Sequence, residues 1–143
     1  MKILVINGPN LNMLGIREPE IYGRETLADI NAYIEAETEE LGVELSFFQS
    51  NHEGEIIDKI HEAHTAFDGI VINPGAYTHY SYAIADALAS VRPPAVEIHI
   101  SDIHKRESFR RNSVTKDSCI DQIYGLGKAG YVQAVKRVWE ALR

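Results

Sequence analysis

Apolar residues along this chain come in short blocks, and the blocks alternate between two periods. Ile3-Leu4-Val5-Ile6 is continuous and predicts a strand, Lys2–Asn7, covered on both faces. Leu27, Ile30, Ile34 and Leu41 then recur on one helical face. Thr26 and Asp29 form a capping pair at the start of that helix, and Gly42 is its stop. Residues 43–49 predict a second strand. Ile56, Ile60, Ala63 and Phe67 mark a second helix, and Gly69–Asn73 is a third strand that ends at Pro74-Gly75. Residues 82–89 read as a third helix and 95–100 as a fourth strand. A polar stretch, 101–116, precedes a fifth strand at 118–124. Val132, Val135, Trp139 and Leu142 mark the face of a last helix.

Strands alternating with helices predict an α/β fold: a doubly wound five-stranded parallel sheet with helices on both faces. There are no repeats, low-complexity tracts or linkers, so residues 1–143 are expected to form a single domain. In such sheets ligands sit beyond the carboxyl ends of the strands. Those ends carry Asn7, Asn73 and the segment 97–101, so polar residues recur where this architecture places chemistry.

One connection breaks the rhythm. Residues 8–23, GPNLNMLGIREPEIYG, form a 16-residue loop after the first strand. Connections of this kind usually run about 2–6 residues, and long ones are functional or disordered. The loop leaves from the same edge as the polar strand ends.

Composition narrows the chemistry. The net charge of −7 disfavours a phosphate backbone as partner. The apolar start, Met1 to Ile6, is too short for a signal peptide, and no run approaches the ~20 residues of a membrane helix. Cytoplasm is the expected compartment. The single cysteine, Cys119, has no intrachain partner and is read as a structural thiol. Lys105, Arg106, Arg110 and Arg111 form one basic cluster on this acidic chain, either a solvated face or a seat for a small anion.

Several motifs fail. Residues 125–130 match GxGxxG, but the chain ends too soon for the strand that a dinucleotide site needs next, so a glycine turn for close helix packing is expected. His61 and His64 lack the spacing of a zinc helix. His99, Ser101 and Asp102 are too close together on a strand for a nucleophile relay. No spacing supports a metal, and residues 8–9 lack the lysine of a phosphate-binding loop.

The surviving polar groups form a set. Tyr22 is a poor base with an unperturbed pKa near ~10, but the guanidinium of Arg17 on the same loop would favour its phenolate. His99 can exchange a proton near neutrality, and Glu97, two residues earlier, shares its face of the strand. Asn10 and Asn73 can bind oxygen without adding charge. The backbone amides of Ile100 and Ser101 could hold a carboxylate. Each residue alone has a structural alternative: a loop anchor for Tyr22, a capped core histidine for His99.

Residues 7–12 (NGPNLN), 17–19 (REP), 22–23, 49–51, 73–79 (NPGAYTH), 97–101 (EIHIS), 109–111 and 125–127 together resemble the type II 3-dehydroquinate dehydratases. The resemblance spans nearly the whole chain. It implies a flavodoxin-like fold and the shikimate-pathway dehydration of 3-dehydroquinate to 3-dehydroshikimate. It also implies no cofactor and a homododecamer built as a tetramer of trimers. Carried onto this chain, it makes Tyr22 the base, Arg17 its counter-charge, Asn10 the holder of a water, and His99 the acid with Glu97 behind it. Asn73, His79 and Arg110 would hold the ring hydroxyls, and Ile100 and Ser101 the carboxylate. Asp86 would come from a neighbouring subunit. A movable lid is expected from about Leu14 to Gly23. Tyr80 and Asp102 depart from the family pattern, which favours Thr and Asn there. The alternatives are a lysine Schiff-base dehydratase, which needs a barrel of ~250 residues, and a flavodoxin-like binding or signalling module. A phosphoreceiver would want acidic residues where Asn7 and Asn73 stand.

Overall fold

The computed structural model describes residues 1–16, 20 and 23–143. Five strands form one parallel sheet: β1 (Lys2–Asn7), β2 (Glu44–Gln49), β3 (Gly69–Asn73), β4 (Ala95–His99) and β5 (Asp121–Tyr124). Their order is β2-β1-β3-β4-β5, the flavodoxin-like order. The helices are α1 (Leu27–Glu37), α2 (Glu53–Ala66), α3 (Tyr82–Ser90), a single turn α4 (Ser108–Arg111), and α5 (Ala129–Leu142).

The continuous apolar run of β1 is explained by two cores. Ile3 and Val5 point into one, packed against Ile30 and Ile34 of α1 and Tyr131, Val135 and Val138 of α5. Leu4 and Ile6 point into the other, against Ile56 and Ile60 of α2 and Ile84 and Leu88 of α3. Alternation along the strand therefore never meets water, and every side chain from Ile3 to Ile6 is fully buried.

The capping pair of α1 is a complete capping box. Thr26 accepts from the Asp29 amide at 3.1 Å, and Asp29 accepts from the Thr26 amide at 3.0 Å. Aspartate does here what glutamate or glutamine usually does. The helix ends earlier than Gly42: the Thr38 hydroxyl turns back onto the Ile34 carbonyl, and Leu41 falls in a separate 3-10 turn, Glu39–Leu41.

Other boundaries shift for similar local reasons. Residues 116–118 form a 3-10 turn, so β5 begins at Asp121. The polar stretch 101–116 contains the turn Ile103–Lys105 and α4, neither of which has an apolar period to betray it. On α5, Val138 is buried while Trp139 lies at the flank under Arg143. Gly130, the last glycine of the GxGxxG match, lets α5 close on the sheet: a Cβ there would lie 2.8 Å from Ile98 Cδ1. No helix among the described residues is long and apolar enough to cross a membrane.

Candidate active site

The strand order reverses between β1 and β3, and this is where the crevice of a doubly wound sheet opens. The last residues of the two strands, Asn7 and Asn73, are register partners and both are buried. The Tyr131 hydroxyl, from the first turn of α5, lies between them. It donates to Asn7 Oδ1 at 2.5 Å and accepts from Asn73 Nδ2 at 3.0 Å. Asn73 Oδ1 accepts from the Gly75 amide at 3.1 Å. Burial pushes the Tyr131 phenol well above its ordinary range, so it remains a neutral hydroxyl.

Two loops leave this crevice in contact. The Gly8 amide donates to the Asn73 carbonyl at 2.8 Å. A Cβ on Gly8 would lie 2.5 Å from the Pro74 carbonyl oxygen, so only glycine permits the approach. Asn10 follows in the left-handed conformation, φ 70°. Its amide donates to Asn51 Oδ1 at 3.0 Å. Gln49 Nε2 donates to the Gly8 carbonyl at 3.1 Å and to Asn51 Oδ1 at 3.2 Å, and Tyr77 Oη donates to the Asn51 carbonyl. The turn through Pro9 and Asn10 is thus clamped from the end of β2.

Glu97 and His99 share one face of β4, as the two-residue spacing requires. Glu97 is fully buried. Its Oε2 accepts from His99 Nε2 at 2.8 Å, Ser113 Oγ at 2.8 Å and Gln122 Nε2 at 2.7 Å, and its Oε1 accepts from Thr115 Oγ1. Burial alone would raise the pKa of this carboxyl. The His99 hydrogen bond and charge, with the Thr115 and Gln122 donors, outweigh burial and lower it to about 2. An ionised carboxylate only accepts, so His99 Nε2 carries the hydrogen and Nδ1 is the remaining ring nitrogen. Cys119, half-buried nearby, is pushed upward by burial and by the Glu97 charge, and stays a thiol.

These groups border one cleft in two connected parts. The part of about 310 Å3 is lined by Asn73, His79, His99, Ile100, Ser101, Arg106 and Arg110. The other, about 340 Å3, adds Asn10, Met13 and Gly15 and shares Leu14, Ala76, Arg106 and Arg110. Such volumes suit a small molecule. The His79 ring donates through Nδ1 to the Asn112 carbonyl at 2.8 Å. Arg110 Nε lies 3.5 Å from Glu107 but makes no hydrogen bond among the described residues. The carbonyls of Ile100 and Ser101 are taken by the Gly127 and Gly125 amides, which fixes this corner of the cleft. A larger hollow of about 560 Å3 beside α1 and β2 is lined by Glu35, Glu39 and Glu44 with apolar neighbours, a poor seat for an anion.

Seven expected residues therefore line the cleft: Asn10, Asn73, His79, His99, Ile100, Ser101 and Arg110. Glu97 stands directly behind His99. Asp86 does not line it; it is exposed on α3. Arg17 and Tyr22, and with them half of the expected lid, lie outside the described residues. Of the two departures, Tyr80 is exposed and packs edge-on against Tyr77, and Asp102 caps the next turn by accepting from the His104 amide.

Residues 1–139 match the family model described as Dehydroquinase class II. The chain belongs to the class II dehydroquinase family. A 3-dehydroquinate dehydratase of Bacillus cereus (strain AH187) is 57% identical over 142 residues, 99% of this chain and 97% of that protein. The type II dehydroquinase of Butyrivibrio crossotus DSM 2876 superposes with a TM-score of 0.91 at 56% identity, covering 96% of this chain and 97% of that one. The enzyme from Propionibacterium acnes gives 0.90 at 42% identity, covering 97% and 96%. As a class II dehydroquinase the chain is an enzyme, not a binding or signalling module, and its reaction is the dehydration of 3-dehydroquinate.

Sequence reasoning missed several residues of the dehydroquinase site. Arg106 lines both parts of the cleft but was read only as one of a basic cluster. Ser113, Thr115 and Gln122 hold Glu97, yet no spacing links them to β4. Tyr131 could have been found from the period Tyr131, Val135, Val138, Leu142, which places it on the buried stripe of α5.

Proposed function

We propose that this cleft carries out a cofactor-free anti dehydration of 3-dehydroquinate through an enolate, with Tyr22 as base and His99 as acid. The observation that carries the reading is the buried, ionised Glu97 hydrogen-bonded to His99 at the cleft wall. It supplies counter-charge for an imidazolium whose Nδ1 is left for the substrate.

In the first step the Tyr22 phenolate takes a proton from C2, beside the C3 ketone, and the C–H electrons form the C2–C3 enolate. Arg17 holds the phenolate ionised. Asn10 holds a water that donates to the enolate oxygen, a preorganised donor where charge develops. In the second step the enolate collapses, the C1–O bond breaks, and His99 protonates the departing hydroxyl as water. The product is an enone. Tyr22 ends protonated and His99 neutral, and one proton passed back through solvent restores both. Asn73, His79 and Arg110 hold the ring hydroxyls, and the Ile100 and Ser101 amides hold the carboxylate. The segment from about Leu14 to Gly23 closes over the site as a lid.

Residues 1–143 act as one catalytic domain in the cytoplasm, assembled as a dodecamer of four trimers. Asp86 completes a neighbour's site. The exposed aromatic rings of Tyr80, Tyr82 and Phe109 support burial against further subunits.

The test is an ultraviolet assay for the conjugated enone formed from 3-dehydroquinate, on chelator-treated protein with nothing added. Tyr22→Phe is expected to lower turnover by roughly 10²–10⁴-fold. A variant that turns over normally would remove Tyr22 from the role of base.

A further inference from the structure

Tyr131 belongs to no established part of the reaction, yet its hydroxyl bridges the side chains of the two strand-end residues, Asn7 and Asn73. Its directionality is fixed. Asn7 Oδ1 only accepts, so the phenol hydrogen goes to Asn7, and the phenol oxygen must then accept from Asn73 Nδ2. Asn73 Oδ1 is meanwhile taken by the Gly75 amide. Flipping the Asn73 amide would set its two N–H groups against the Gly75 N–H and leave the phenol without its donor.

Asn73 is therefore held at both ends. One of its amide hydrogens goes to Tyr131, and the second is what remains for the cleft that Asn73 lines. We infer that Tyr131 is a positioning residue: it locks the orientation of the Asn73 amide so that its free N–H is the donor offered to the cleft, and so favours an oxygen lone pair on the substrate ring. This rests on the reading of Asn73 as a substrate contact. The arrangement is buried and neutral, and removing the hydroxyl leaves the ring packing of α5 intact.

Steady-state kinetics with 3-dehydroquinate on the full-length Tyr131→Phe, Asn73→Ala and double variants test it. The contact is made equally in ground and transition states, so Tyr131→Phe should raise KM about 3- to 10-fold, the worth of one hydrogen bond, with kcat nearly held. Asn73→Ala should raise KM at least as much. The double variant should be no worse than Asn73→Ala, because Tyr131 acts only through Asn73. An unchanged KM for Tyr131→Phe beside a raised one for Asn73→Ala overturns the positioning role and leaves the contact standing. Additive effects overturn it as well, since they place the action of Tyr131 elsewhere. An unchanged KM for Asn73→Ala removes the contact itself, and this inference with it. Should Tyr131→Phe fail to fold, Asn7→Ala tests the same relay from its other end and should show the same KM rise and the same non-additivity with Asn73→Ala. A role confined to packing would lower Tm without that non-additivity.

Discussion

Glu97 holds an ionised carboxylate in the core because four donors from three elements converge on it. Two come from the segment after α4, one from β5 and one from His99. Its lowered pKa fixes the sign of a pH effect. The folded pKa of about 2 lies below the ordinary 4.5, so the stability it contributes is fully present above about 4.5 and is lost as pH falls towards 2. Glu97→Gln removes this dependence. In that variant the Thr115 hydroxyl can turn to accept from the new amide, so the fold survives, but His99 loses its counter-charge. Turnover should fall on the order of 10²-fold, with KM changed far less. The gap in Tm between wild type and Glu97→Gln should narrow from pH 5 to pH 2. A gap that stays constant would mean that the carboxyl is not ionised in the fold. At this scale the strand-end residues were readable in the sequence, since a parallel sheet dictates where Asn7, Asn73 and His99 must stand. Their supporters were not. Ser113, Thr115 and Gln122 meet Glu97 only through tertiary packing, and a hydroxyl 16 or 18 residues away leaves no periodic trace.

Elements were legible in proportion to the apolar surface they bury. β1 and β3 are covered on both faces and were readable to the residue, whereas β5 is a half-exposed edge strand and its start was placed three residues early. The one-turn α4 has no buried residue, so nothing in its pattern distinguishes it from a loop, although it carries Arg110. The GxGxxG match shows the limit of motif reading. Its glycines serve packing: Gly125 and Gly127 take left-handed turns, and Gly130 admits Ile98, the residue between Glu97 and His99. Gly130→Ala should therefore cost about 1–3 kcal/mol, because a Cβ 2.8 Å from Ile98 Cδ1 must displace that side chain and α5 with it. Thermal unfolding measures the cost. Since α5 also brings Tyr131 to the crevice, KM should rise in the same variant. A stable Gly130→Ala protein with wild-type KM would show that the helix can retreat without disturbing Asn73.

At the scale of the molecule, the described residues expected to touch substrate gather at one edge of the sheet, apart from Asp86. It sits on the exposed face of α3, whose other face is buried against α2 and the sheet. It does not line the cleft of its own chain, so its proposed role calls on a second subunit. The requirement can be tested by complementation. Asp86→Ala alone should be impaired because every site lacks the neighbour's carboxylate, and His99→Asn alone because every site lacks its acid. In a mixed assembly, a site is whole when its own chain carries Asp86→Ala and its neighbour carries His99→Asn. Random 1:1 assembly makes about a quarter of the sites whole if each site draws on one neighbour. Co-expressed variants, purified through tags on both chains, should regain activity on that scale, while the same proteins mixed after assembly should not. Full activity in Asp86→Ala alone would free this residue from catalysis. Impairment without regain in the mixed assembly would mean that Asp86 acts within its own chain, through the packing of α3 and not through a neighbour's site.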